Sequence, residues 1–132
     1  MIVVDASVVV DALCNVGSSS SLHRRLADEV LLAPDLLPVE VASALRGLNR
    51  GGELTDDALE AAAVDLSRLQ VELYPTLPLI PRILALRQNV TAYDAAYVAL
   101  ASVFGCPLIT HDRRLALAAS GHCVVEVPGD SG

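Results

Sequence analysis

The sequence predicts an α/β fold: one domain with a mostly parallel central sheet of about five strands and helices on both faces. Three observations predict it. The chain has 132 residues, enough for one core and too few for two. Short apolar runs alternate along it with two-faced helical stretches, the pattern of βα units. The first of those runs, Ile2, Val3 and Val4, has no polar alternation at all, which marks a strand covered on both faces, as parallel strands are.

Each element follows from local chemistry. Residues 1–4 form the first strand, which stops abruptly at Asp5. Residues 7–13 read as a short helix through Val8, Val9, Ala12 and Leu13, followed by a loop from Gly17 through the serines 18–21. A helix over 22–27 and a strand over 30–33 come next, and Pro34-Asp35 marks a turn. The stretch 37–50 is an amphipathic helix with Pro38 in its first turn: Leu37, Val41, Ala44, Leu45 and Leu48 share one side, while Glu40, Ser43, Gly47 and Arg50 share another. Gly51-Gly52 ends it. Thr55 with Asp56 and Asp57 opens a helix running to about residue 69, a hydroxyl cap with acids in the first turn. Residues 71–74 form a third strand. Pro75, Pro78 and Pro81 should then break the chain before a helix over 82–87. Residues 91–104 are apolar nearly all round, so this helix belongs in the interior, with Asp94 in its first turn and Gly105 after its end. A strand over 107–110, a helix over 112–119, a turn at Gly121 and a last strand over 122–127 complete the domain, which spans 1–132 with 128–132 as a frayed tail.

Composition narrows the function. The chain is 53% hydrophobic, yet charges and prolines interrupt every apolar run before it could span a membrane. Its start meets Asp5 with no basic region before it, unlike a secretory leader. Cys14, Cys106 and Cys123 show neither pairing nor metal-ligand spacing, which fits buried, reduced thiols in the cytoplasm. A net charge of −7 argues against broad electrostatic binding of nucleic acid, although not against a site where bound metal supplies the positive charge. All nine basic residues are arginines, for which codon bias is as good an explanation as phosphate binding.

Four acids stand out: Asp5, Glu40, Asp94 and Asp112. Each has an ordinary structural explanation. Asp5 and Asp112 can cap the helices that follow them, Glu40 suits the positive end of its helix, and Asp94 can close a capping box with Thr91. Taken together they point elsewhere. In a doubly wound sheet, strand ends and the helix starts that follow them lie on one rim, where ligands bind. Four carboxylates converging there repel one another unless cations bind, and an all-oxygen acidic cluster suits Mg²⁺ or Mn²⁺ and not zinc. Ser7 and Thr110, each two residues from an acid, can orient carboxylates or water behind the metal ligands. His23, His111 and His122 have no ligand spacing and read as surface or structural residues.

Asp5-Ala6-Ser7 after an apolar strand, Glu40 on a helix after Pro38, the run from Thr91 through Asp94 and Tyr97 to Ala101, and Leu108-Ile109-Thr110-His111-Asp112 resemble, in order, the four acidic motifs of PIN-domain nucleases. Length and single-domain form resemble the VapC toxins of bacterial toxin–antitoxin pairs. The resemblance implies a Mg²⁺-dependent endoribonuclease leaving 5′-phosphate and 3′-hydroxyl ends. It implies that Asp5 and Asp94 are the principal metal ligands, that Asp112 completes the cluster directly or through water, and that Glu40 holds a second metal or positions the attacking water. It further implies an RNA substrate, a homodimer, and a cognate antitoxin whose arginine or lysine plugs the acidic pocket along the Glu40 helix. The region from Thr55 to Arg87 is not diagnostic of the family and is a candidate for target choice. Two other readings remain. An aspartyl-phosphate hydrolase would place a second acid where Ser7 stands and needs a lysine, which the chain lacks. A catalytically silent PIN-like module would hold RNA or protein without cutting.

Overall fold

The computed structural model describes residues 1–14 and 20–129. Its strands are β1 (Ile2–Val4), β2 (Leu31–Pro34), β3 (Val71–Tyr74), β4 (Leu108–Ile109) and β5 (Val125–Glu126), all parallel in one sheet of order β3-β2-β1-β4-β5. The helices are α1 (Ala6–Cys14), α2 (Ser20–Ala27), α3 (Leu37–Arg50), α4 (Asp56–Arg68), α5 (Ile80–Ala85), α6 (Ala92–Phe104) and α7 (Arg113–Ala119).

Strand β1 is the axis of the molecule. Ile2, Val3 and Val4 are each 0% exposed. Successive strand side chains point to opposite faces, so both faces of β1 are covered. The chain first builds outward from β1 through β2 to β3, then returns to lay β4 and β5 on the other side. The strand order therefore reverses between β1 and β4, and a doubly wound sheet opens its ligand crevice at the carboxyl ends beside such a reversal. Val3 pairs with Leu108 and Val4 with Ile109, so the next residues up, Asp5 and Thr110, emerge side by side.

Helix α6 covers the centre of the sheet. Its seven consecutive residues from Ala95 to Ala101 are buried, as the near-continuous apolar sequence predicts, although Val103 near its end is exposed. Thr91 caps its start, its Oγ1 accepting from the Asp94 backbone N–H at 3.2 Å. Gly105 ends it in the left-handed region at φ 62°. On α3, Leu37, Val41 and Leu45 are buried as expected. Ala44 is exposed instead of buried, and with Gly47 and Leu48 it borders a groove facing α1.

Several boundaries differ from expectation for identifiable reasons. Pro34 completes β2 where a turn was expected to begin; at the last position of a strand its missing N–H costs little. Pro78 and Pro81 do not break the chain. They occupy the first turns of a 3₁₀ segment, Leu77–Leu79, and of α5, where proline's fixed φ is already helical. Helical structure thus begins five residues before the expected start at 82. Strands β4 and β5 are shorter than the apolar runs that suggested them. Ser20 and Ser21 belong to α2, whereas Gly17, Ser18 and Ser19 of the expected loop, and 130–132 of the expected tail, lie outside the described residues. Cys106 is buried, while Cys14 and Cys123 are only partly so.

Two glycines make opposite predictions. Nothing lies within 4 Å of a Cβ built on either Gly47 or Gly105, so backbone conformation alone decides. Gly47→Ala, in the interior of α3, should stabilise the protein by roughly 0.5–1 kcal/mol. Gly105→Ala, forced into the left-handed region, should destabilise it by about 1–2 kcal/mol. Urea denaturation of both variants measures the two signs.

Candidate metal centre

Asp5 sits at the end of β1 and is only 7% exposed. An ionised carboxyl there needs donors, and several reach it. The Ser7 hydroxyl donates to Oδ1 at 2.5 Å and the Val8 backbone N–H to the same oxygen at 3.2 Å. The Thr110 hydroxyl, reaching across from β4, donates to Oδ2. Thr110 is itself 0% exposed, so this contact closes the β1–β4 boundary from within. Burial nevertheless outweighs the donors, and the Asp5 carboxyl is pushed above its ordinary range.

The loop after β4 is tied to the same cluster. The backbone N–H of His111 donates to Ser7 Oγ at 3.1 Å, and that of Asp112 to Thr110 Oγ1 at 3.0 Å. Asp112 caps α7, its Oδ1 accepting from the N–H groups of Arg114 and Leu115 at 3.0 and 3.1 Å. The capping explanation therefore holds for this residue, and both bonds use Oδ1. Asp94 lies in the first turn of α6, and Glu40 in the first turn of α3. Glu40 is anchored by the buried Tyr97, whose hydroxyl donates to Oε1 at 2.6 Å.

Electrostatics link these residues. Burial raises the Asp94 carboxyl above its ordinary range, and the charges of Asp112 and Asp5 raise it further. Burial likewise raises Glu40, opposed by the Tyr97 hydrogen bond and reinforced by the charges of Asp94 and Asp5. Tyr97 is raised by burial, by its bond to Glu40 and by the surrounding acids, so it stays a donor. Among the described residues no ion pair reaches Asp5, Glu40, Asp94 or Asp112.

Asp94 is thus within electrostatic reach of Asp5, Glu40 and Asp112, and Glu40 of Asp5, but the expectation of tight convergence needs a correction. Among the described residues no group of three acids, histidines or cysteines stands close enough to hold one ion. Separate donors hold three of the carboxyls: Ser7 and Thr110 hold Asp5, Tyr97 holds Glu40, and the start of its own helix holds Asp112. The donor set itself fits a hard divalent cation, being all oxygen and all acidic, with no basic side chain paired to it among the described residues.

Two contacts went unnoticed in the sequence. Tyr97 stood in the run from Thr91 to Ala101, but its bond to Glu40 was not expected; it lies three residues after Asp94 on the same side of α6, and its hydroxyl was the one available signal. The second is a hydrogen bond between the side chains of His111 and Asp11, with Nε2 to Oδ2 at 2.8 Å. Residues 100 apart in sequence give no local sign of such a pair.

Comparison with known proteins agrees with this architecture. The family profile described as PIN domain matches residues 2–120. The chain belongs to the PIN domain family. Ribonuclease VapC1 of Mycobacterium tuberculosis is 43% identical over 127 residues, covering 95% of this chain and 96% of the relative. Ribonuclease VapC9 of the same organism is 41% identical over 127 residues, covering 96% and 98%. The solved structure of VapBC2 from Rickettsia felis, bound to a DNA fragment from its promoter, superposes with a TM-score of 0.70 at 11% identity, covering 96% of this chain and 98% of that one. At that identity the likeness speaks for the PIN fold alone.

In chelator, Asp94→Asn should be more stable than the wild type at pH 7. The Asp94 carboxyl is raised in the folded state, so its ionised form destabilises the fold above that raised value, and the penalty fades as pH falls. The advantage of the variant should therefore shrink through the raised titration and vanish below about pH 4, where the unfolded carboxyl is also protonated. Thermal melts of both proteins across this range measure it.

Proposed function

We propose that this chain is a divalent-metal-dependent endoribonuclease, and the toxin of a cytoplasmic toxin–antitoxin pair. The observation that carries the reading is Asp5: a buried acid at the strand-order reversal, within electrostatic reach of Glu40 and Asp94. The identity of 41–43% to relatives named as ribonucleases, over nearly the whole of both chains, supports the same activity.

In this reading the carboxyls of Asp5, Asp94 and Asp112, not gathered around one point here, would turn to hold Mg²⁺, with Mn²⁺ as an alternative, and these three together with Glu40 are the catalytic residues. A divalent ion, when bound, lowers the pKa of water and neutralises charge on the phosphodiester. Ser7 and Thr110 hold the Asp5 carboxyl in one orientation, each from a different structural element. Tyr97 fixes one oxygen of Glu40, leaving the other to accept a proton from the attacking water. Asp112 combines ligation with capping, so its carboxyl is held by the start of α7.

The partners belong to the same proposal. The substrate is RNA, and the chain works as a homodimer. A cognate antitoxin presents an arginine or lysine to the acids, relieving their repulsion and excluding the metal in one event; a guanidinium engages carboxylates bidentately. The groove of about 600 Å³ between α1 and α3, with Ser7, Ala44 and Gly47 in its lining, gives such a segment a place to lie.

Purified protein incubated with total RNA tests the activity. Cleavage should require Mg²⁺, stop in chelator, and fall roughly 100-fold or more in Asp5→Asn, at least the loss typical of disturbing a metal site's surroundings. Cleavage that survives Asp5→Asn comes from a contaminant. Absence of any cleavage by wild-type protein, with RNA still bound, favours a silent binding module.

A further inference from the structure

The contact between Asp11 and His111 stands outside every role assigned above. Asp11 lies midway along α1, and its side chain is 12% exposed. Its Oδ2 accepts from His111 Nε2–H at 2.8 Å. Its Oδ1 is buried with no hydrogen-bond partner among the described residues. A buried acid with a single partner is costly to keep unless that partner matters.

The geometry indicates what the partner does. His111 is the middle residue of Thr110-His111-Asp112, the segment between β4 and α7. Its backbone N–H donates to Ser7 Oγ at 3.1 Å, and Ser7 Oγ donates to Asp5 Oδ1 at 2.5 Å. On its other side, the Asp112 N–H donates to Thr110 Oγ1, which donates to Asp5 Oδ2. Both hydroxyls that hold Asp5 are therefore themselves held by backbone amides of this one segment. Beside the His111 N–H bond to Ser7, the side chain of His111 gives the segment a second fastening to α1, at Asp11.

We propose that Asp11 and His111 are positioning residues: their contact clamps the 110–112 segment against α1, so that Ser7 and Thr110 present Asp5 to a divalent cation in one fixed orientation. The clamp acts through backbone and hydroxyl groups and does not itself touch the cation. This rests on the metal-dependent reading of Asp5 given above.

The test uses the purified full chain and two readouts besides cleavage. The first is hydrogen exchange of the His111 and Asp112 amides in chelator. The second is Mn²⁺ affinity by titration calorimetry. D11L removes the acceptor, whereas D11N keeps a side-chain oxygen for the imidazole N–H. D11L should lose protection at both amides and bind Mn²⁺ on the order of tenfold more weakly, the scale seen when residues behind metal ligands are changed. D11N should retain most of both. If D11L does not fold, the double variant D11N/H111A removes the contact without leaving a buried unpaired charge, and it should reproduce the two losses. A folded variant without the contact that melts lower but keeps wild-type amide protection and Mn²⁺ affinity overturns the proposal, because the pair is then only structural. Wild-type protein that binds no Mn²⁺ overturns both this proposal and the metal reading. Wild-type protein that binds Mn²⁺ but cuts no RNA overturns only the nuclease reading, and the variants' Mn²⁺ affinities still decide the clamp.

Discussion

The hydrogen bond from Thr110 to Asp5 is the contact on which the functional end of this protein depends. It joins the ends of β1 and β4, the strands on either side of the point where the sheet reverses direction. It is also the interaction most exposed to conflict. Burial disfavours the charged carboxyl, and two neighbouring elements must supply donors to keep it in place. A fold selected only for stability would put an apolar residue here, as it does at every other position of β1. The acid is retained against that preference, and the compensation around it is incomplete.

The other acids follow the same pattern. Each has enough local support to be tolerated: Asp112 has a helix start, Glu40 has Tyr97, and Asp94 has the first turn of α6. None has a basic partner among the described residues. The carboxyls stay mutually repulsive, which raises Glu40 and Asp94 beyond what burial alone would do. Structural and functional explanations of these residues are therefore compatible. A capped helix start delivers an acid to the rim, and in the proposed reading a cation would neutralise the charge left over there.

Much of this was legible in the sequence because it is encoded locally. The unbroken apolar run before Asp5 marked a central strand, and the ends of α3 matched their proline and glycine signals residue for residue. The acids were found because each follows a strand or opens a helix, positions that topology alone brings to one side. Misreadings arose where one local signal has two meanings. Proline breaks a helix from its middle but begins one at its first turn, which is why α5 starts earlier than expected. Ala44 was assigned to the core by spacing, yet it borders a groove, since spacing gives direction and not what lies opposite. The contacts from Tyr97 to Glu40 and from His111 to Asp11 were invisible because they join residues 57 and 100 positions apart. Such pairings depend on the assembled fold and leave no trace in spacing.

In the metal-dependent reading, burial leaves the carboxyl of Asp5 in need of a cation, and burial with neighbouring charge does the same for Glu40 and Asp94. Carboxyl carbon NMR, titrating each of the three with and without Mg²⁺, tests it most directly. In chelator all three should titrate above the ordinary carboxylate range, and saturating Mg²⁺ should bring Asp5 and Asp94 sharply down. Titration of these groups at ordinary values, unmoved by Mg²⁺, would contradict the account.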